Sequence, residues 1–122
     1  MHGSTGDGRG MDELSSLGAN EICEVKAGEL RDSTLDPQKL GFAPAKVEEL
    51  VGGEAAENAI ILENVLAGTI KGPKRDIAVL NAAAGFVITG IRDGLEAGKA
   101  FAEELLDRGA AHSKLREMQS LR

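Results

Sequence analysis

Residues 77–88 read Ile-Ala-Val-Leu-Asn-Ala-Ala-Ala-Gly-Phe-Val-Ile. The run is longer than an ordinary strand and rich in alanine, so it predicts a helix, opened by Asp76 and closing near Ile88. Its apolar residues lie nearly all round the helical wheel, which predicts full burial between other elements. Asn81 sits inside that run, and a buried amide must be hydrogen-bonded, so it is expected to tether a loop or a neighbouring backbone.

Working outward, Asp93 precedes Glu96 by three residues, the spacing of a capping box, and predicts a helix running to about Arg108. Beyond Gly109 a closing amphipathic segment carries Ala111, Leu115, Met118 and Arg122, with His112 expected at the surface. On the other side, Lys71-Gly72-Pro73-Lys74 reads as a connecting loop, and Lys71, Lys74 and Arg75 as solvated, with phosphate contact the alternative. Residues 55–67 repeat apolar side chains at 55, 59, 62 and 66, one helical face, with Gly68 as the stop. A shorter helix over 45–51 ends at Gly52-Gly53, and Asp36-Pro37 reads as an N-cap and first residue of a short turn that Gly41 ends. Segments 22–26 and 29–35 around Ala27-Gly28 predict a β-hairpin, with Gly28 supplying the positive φ and Cys23 a small buried strand residue. Residues 3–10, Gly-Ser-Thr-Gly-Asp-Gly-Arg-Gly, read as a loop.

The order is therefore loop, hairpin, then four or five helices. A two-stranded ribbon cannot cover that many helical faces. The expectation is part of a larger α/β domain whose main sheet lies elsewhere in the sequence, with a compact α+β unit as the alternative. Composition narrows the function classes. The 122 residues carry a net charge of -6, with three Phe and no Tyr or Trp. Neither phosphate-backbone attraction nor base stacking is available, so nucleic acid is not the expected partner. Residues 1–61 hold 5 Lys+Arg against 12 Asp+Glu, and 62–122 hold 9 against 8, so the acidity lies in the first half. With one cysteine, neither an internal disulfide nor a cysteine zinc cluster is possible. No apolar run reaches the ~20 residues that span a bilayer, and no secretory signal is visible; the expected location is cytoplasmic, away from membrane.

Asp12-Glu13 is the pair most able to carry chemistry. Magnesium takes hard oxygen ligands and is often held by one or two carboxylates plus substrate phosphates. The competing reading is an acidic first turn of a helix, and from local sequence alone it is the stronger, because such pairs are common. The glycines before it lack the Gly-Lys-Ser/Thr ending of a P-loop, and Gly6, Gly8 and Gly10 lack the dinucleotide spacing. His2 has no local acid or Ser partner, and a backbone-positioning role suits it.

Taken together, the chain resembles the C-terminal part of the anthranilate phosphoribosyltransferases. The resemblance is carried by His2-Gly3, Gly10-Met11-Asp12-Glu13-Leu14-Ser15, Thr34-Leu35-Asp36-Pro37, Leu40-Gly41-Phe42 and Leu50-Val51-Gly52-Gly53. It continues through Glu57-Asn58-Ala59, Val65-Leu66-Ala67-Gly68, Lys71-Gly72-Pro73, Arg75-Asp76, Asn81-Ala82-Ala83 and Asp107-Arg108-Gly109-Ala110-Ala111. It implies the C-terminal portion of the large α/β domain of the nucleoside phosphorylase-like, glycosyltransferase family 3 fold. In these terms 1–20 is a glycine-rich metal loop, 21–35 the hairpin and 36–122 a helical segment. The family joins anthranilate to 5-phosphoribosyl-1-diphosphate in tryptophan biosynthesis. The resemblance implies magnesium (Mg2+) on Asp12 and Glu13, substrate contacts at His2 and Gly3, and a homodimeric complete enzyme. The loop Ser4 to Arg9 is longer than the family's. The family's upstream phosphate loop, anthranilate-binding arginine and helical domain are expected to be missing, leaving a fragment inactive alone. The alternatives are a non-catalytic partner-binding module of this fold or a related pyrimidine nucleoside phosphorylase fragment.

Overall fold

A computed structural model describes residues 1–121 and divides into two compact units, Met1–Glu49 and the residues from Leu50 onward. Arg122, assigned above to the closing amphipathic face, lies outside the described residues.

The first unit is built on a four-stranded antiparallel sheet in the order β2-β1-β3-β4. Strand β1 is His2–Ser4, β2 Gly10–Met11, β3 Asn20–Lys26 and β4 Glu29–Leu35. The hairpin β3–β4 forms where expected, but both of its turn residues are left-handed, Ala27 at φ 52° and Gly28 at φ 81°. That conformation matches the right-handed twist of the flanking strands. Opposite charges face each other in the pairs Glu24–Arg31 and Lys26–Glu29.

Two expectations fail in the sheet. Residues 3–10 are not simply a loop, because their two ends pair as β1 and β2, with Gly3 opposite Met11 and Ser4 opposite Gly10. Glycine and serine have poor strand propensity, but β3 offers β1 a ready edge, and pairing outweighs propensity. Cys23 is exposed rather than buried, because both faces of the distal hairpin lie open. Its thiol pairs with the Asp32 carboxylate directly across the ladder, which raises its pKa.

After β4, Asp36 Oδ1 accepts from the Gln38 N–H at 3.0 Å and Pro37–Leu40 makes a 3-10 turn closed by left-handed Gly41. The helix expected over 45–51 shrinks to the 3-10 turn Val47–Glu49. Pro44 before it and Gly52-Gly53 after it leave fewer turns than helix nucleation needs.

The second unit is four helices: α1 Ala55–Leu66, α2 Pro73–Ile88, α3 Leu95–Asp107 and α4 Ala110–Ser120. Helix α2 begins three residues earlier than expected, with Pro73 in its first turn, where the missing N–H costs nothing. The residue before α3 is Gly94, and no side chain caps that helix, so Asp93 does not act as the expected cap. Helix α2 is also not buried all round. Val79, Leu80, Ala83 and Ala84 are buried, while Ala78, Gly85 and Ile88 are exposed.

The buried side of α2 packs on α3, and Gly98 marks a close approach between them. A Cβ there would stand 2.7 Å from the Ala83 carbonyl oxygen. Phe86 and Phe101 meet edge to face at 4.9 Å between centroids, with the Arg92 guanidinium over Phe101. At the other end Arg75 and Lys71 both bond Asp107 Oδ1, at 2.9 and 3.0 Å. Arg75 is thus not solvated as expected; it is 5% exposed, and Lys74 Nζ donates to the Val51 carbonyl. Asn81 is half-buried and donates to the Ile77 carbonyl one turn back in its own helix. His112 is half-buried, with Nε2 3.4 Å from Glu63, so it joins α4 to α1 rather than lying free at the surface. Arg116 bonds the same carboxylate.

Candidate functional site

Asp12 and Glu13 form a bend where the chain leaves β2. Both side chains are exposed and hydrogen-bond to each other. The bond to Glu13 holds the Asp12 carboxyl below the usual carboxylate range, and the bond to Asp12 holds Glu13 above it. Two adjacent exposed carboxylates set side by side offer paired oxygen ligands to a hard cation.

The backbone beneath this pair is tightly fixed. Gly3 is buried in β1, and a Cβ there would stand 2.7 Å from the Glu13 carbonyl oxygen and 2.6 Å from Ser15 N. Its φ is not positive, so the position needs glycine because segment 13–15 crosses directly over it. Leu14 and Ser15 are fully buried next to the exposed acids. Asn20 then locks the segment. Its Oδ1 accepts from Ser15 N at 2.6 Å, and its Nδ2 donates to the carbonyls of Ser15 and Gly18 at 2.9 and 3.1 Å. Sequence reasoning missed Asn20, whose only trace is a polar residue at the mouth of a strand. The hydroxyl of Ser16, three residues after Glu13, is buried with no hydrogen-bond partner.

The long loop between β1 and β2 closes on itself. Asp7 accepts from Thr5 Oγ1 at 2.5 Å and from Arg9 Nε at 2.9 Å, and these bonds hold its carboxyl far below the ordinary range. Arg9 is thereby neutralised within the loop. His2 lies on the opposite side of β1 from the buried Gly3. It rims an open concavity of about 600 Å³ with Glu21, Cys23, Asp32 and Thr34. That surface holds no Lys or Arg and does not suit a phosphate. The structure therefore brings Gly3 under Glu13 and Ser15, and turns His2 toward Gly10.

The model describing the "Glycosyl transferase family, a/b domain" matches residues 3–112. The chain belongs to that family. Within it, the chain is 45% identical over 112 residues to the anthranilate phosphoribosyltransferase of Clostridium beijerinckii, covering 92% of this chain and 33% of that protein. The anthranilate phosphoribosyltransferase of Haloferax volcanii is 41% identical, with 90% and 34% covered. The chain thus spans about a third of the length of the curated relatives it matches. Among solved structures, anthranilate phosphoribosyltransferase from Thermus thermophilus superimposes with a TM-score of 0.79 at 38% identity, over 90% of this chain and 32% of that one. The Saccharomyces cerevisiae enzyme, solved in complex with 4-fluoroanthranilate, shares the fold with a TM-score of 0.78 at 24% identity, over 87% and 31%. The glycosyl transferase family fold expected from the sequence is the fold observed.

Proposed function

We propose that this chain forms the metal-binding edge of an anthranilate phosphoribosyltransferase, with Asp12 and Glu13 holding magnesium against the diphosphate of 5-phosphoribosyl-1-diphosphate. The observation that carries the reading is the exposed, mutually hydrogen-bonded Asp12–Glu13 pair set on a buried glycine crossing, in a chain of this family. The donor set fits the ion. Among the described residues no three His, Cys, Asp or Glu side chains gather to hold a metal, so two carboxylates leave coordination positions for water and phosphate oxygens.

Magnesium, when bound, offsets charge on the departing diphosphate. The chain's own part is to keep two carboxylates at fixed spacing on a backbone that Gly3 and Asn20 prevent from drifting. In the reaction, the anthranilate amine forms a bond to ribose C1 as the bond from C1 to the diphosphate oxygen breaks, and the amine nitrogen then sheds a proton to water. The amine is already a nucleophile, so no strong general base is demanded of these residues. The tryptophan-pathway role, the cytoplasmic location and the dimeric state of the complete enzyme belong to the same proposal.

The test is a titration of the chain with Mn2+, read as paramagnetic broadening of its amide NMR signals. Broadening is expected first at Met11, Asp12, Glu13 and Leu14, and Asp12→Asn with Glu13→Gln abolishes it. Broadening centred elsewhere, or unchanged in the double variant, overturns the assignment. Consumption of anthranilate, followed by its fluorescence with phosphoribosyl diphosphate and magnesium, is expected to be absent for this chain alone. Turnover by this chain alone overturns the expectation that it is inactive without the rest of its relatives' length.

A further inference from the structure

Gly10 is the first residue of β2, the two-residue edge strand that leads into Asp12-Glu13. Its φ is not positive, so its backbone conformation does not ask for glycine. What asks for it is His2. A Cβ at Gly10 would fall within the His2 imidazole, with Cε1 and Nε2 nearest and Nδ1 at 3.1 Å. Residue 10 pairs with Ser4, which shares its side of β1 with His2, so the ring reaches diagonally along the ribbon to cover the glycine. Aromatic cover of this kind stabilises edge glycines, which contribute no side chain to the sheet. Strand β2 has little else to hold it, since it pairs on one side only and is too short to be stable alone.

We infer that His2 is a positioning residue. Its ring, lying on Gly10, pins the end of β2 and so fixes where Asp12 and Glu13 project. Gly3 supports the acid pair from within the sheet, and His2 clamps the strand leading into it from the exposed face. Two neighbouring residues of β1 thus grip the segment from opposite sides. The imidazole acts as a flat, rigid cover, so its role needs neither protonation nor contact with substrate. The functional consequence rests on the metal reading above, while the clamp itself does not.

The experiment compares His2→Ala, His2→Phe, Gly10→Ala and the double variant His2→Ala with Gly10→Ala, all as the full 122-residue chain. His2 is exposed, and an added methyl at residue 10 meets only a side chain that can swing away, so all four variants are expected to fold. Two readouts are taken, amide order parameters at Met11, Asp12 and Glu13, and apparent Mn2+ affinity from paramagnetic broadening. His2→Ala is expected to drop the order parameters from about 0.85 to below about 0.6. It should also weaken Mn2+ on the order of tenfold, the usual cost of losing a supporting side chain behind a metal ligand. His2→Phe restores both, Gly10→Ala mimics the loss by displacing the ring, and the double variant is no worse than either single one.

Unchanged order parameters in His2→Ala overturn the inference. So does failure of His2→Phe to restore them, which would make the imidazole nitrogens the active feature. If wild-type chain binds no Mn2+ at Asp12-Glu13, the metal reading falls, and the order parameters still decide whether His2 holds the strand.

Discussion

Two helical glycines with opposite surroundings give a sharp test of the α2–α3 packing. Gly98 lies in α3 against the α2 backbone, where a Cβ would sit 2.7 Å from the Ala83 oxygen and 3.1 Å from its Cα. Gly85 lies in α2, exposed, with nothing within 4 Å of a Cβ. Alanine gains about 1 kcal/mol over glycine in a helix interior at either site. At residue 98 the helices must also separate by about 0.5 Å, and forced overpacking typically costs about 1–3 kcal/mol. The neighbour is backbone and cannot swing aside, so Gly98→Ala is expected to lose about 1 kcal/mol net and Gly85→Ala to gain about 1. The chain has no Trp or Tyr, so urea unfolding is best followed by far-UV circular dichroism. With a slope of about 1 kcal/mol per molar urea, the midpoints move by about 1 M in opposite directions. A midpoint that rises as far in Gly98→Ala as in Gly85→Ala would refute the close approach, and with it the reason for glycine at 98.

Three further outcomes follow from the structure. Asn20→Ala strands the buried N–H and carbonyl of Ser15 and is expected to cost about 2–3 kcal/mol, seen as faster hydrogen exchange across β1–β4; unchanged exchange would show the amide is dispensable. The bonds from Lys71 and Arg75 lower the Asp107 pKa, so its stabilising contribution is present above the ordinary carboxylate range and lost as pH falls through the depressed value. Asp107→Asn is therefore less stable than wild type at neutral pH, with the gap closing below about pH 4, and a pH-independent gap in thermal unfolding would contradict this. Ala27→Asn relieves a left-handed alanine and is expected to slow hydrogen exchange in β3–β4 by stabilising the hairpin about 1 kcal/mol; no change would mean the turn is unstrained.

Short-range physics was readable from the residues directly. The hairpin, the Asp36-Pro37 turn closed by Gly41, helix α1 and the helix break at Gly109 all depend on residues a few positions apart, and each formed near its expected place. Family membership was readable too, because motif order and spacing survive without coordinates. The candidate acids were named from their adjacency together with the family resemblance, but not what holds them.

Contacts between distant residues decided the rest. Gly3 and Gly10 look like loop glycines in sequence. One is small because segment 13–15 crosses it, the other because His2 covers it. The all-apolar character of 77–88 did not bury every face of α2, since burial is set by what packs against a helix, and α3 covers one side of it here. Arg75 reads as a loop cation, yet Asp107, 32 residues away, draws it inside. Local sequence specifies backbone preference, while burial, close approach and paired charge belong to the neighbours that folding supplies.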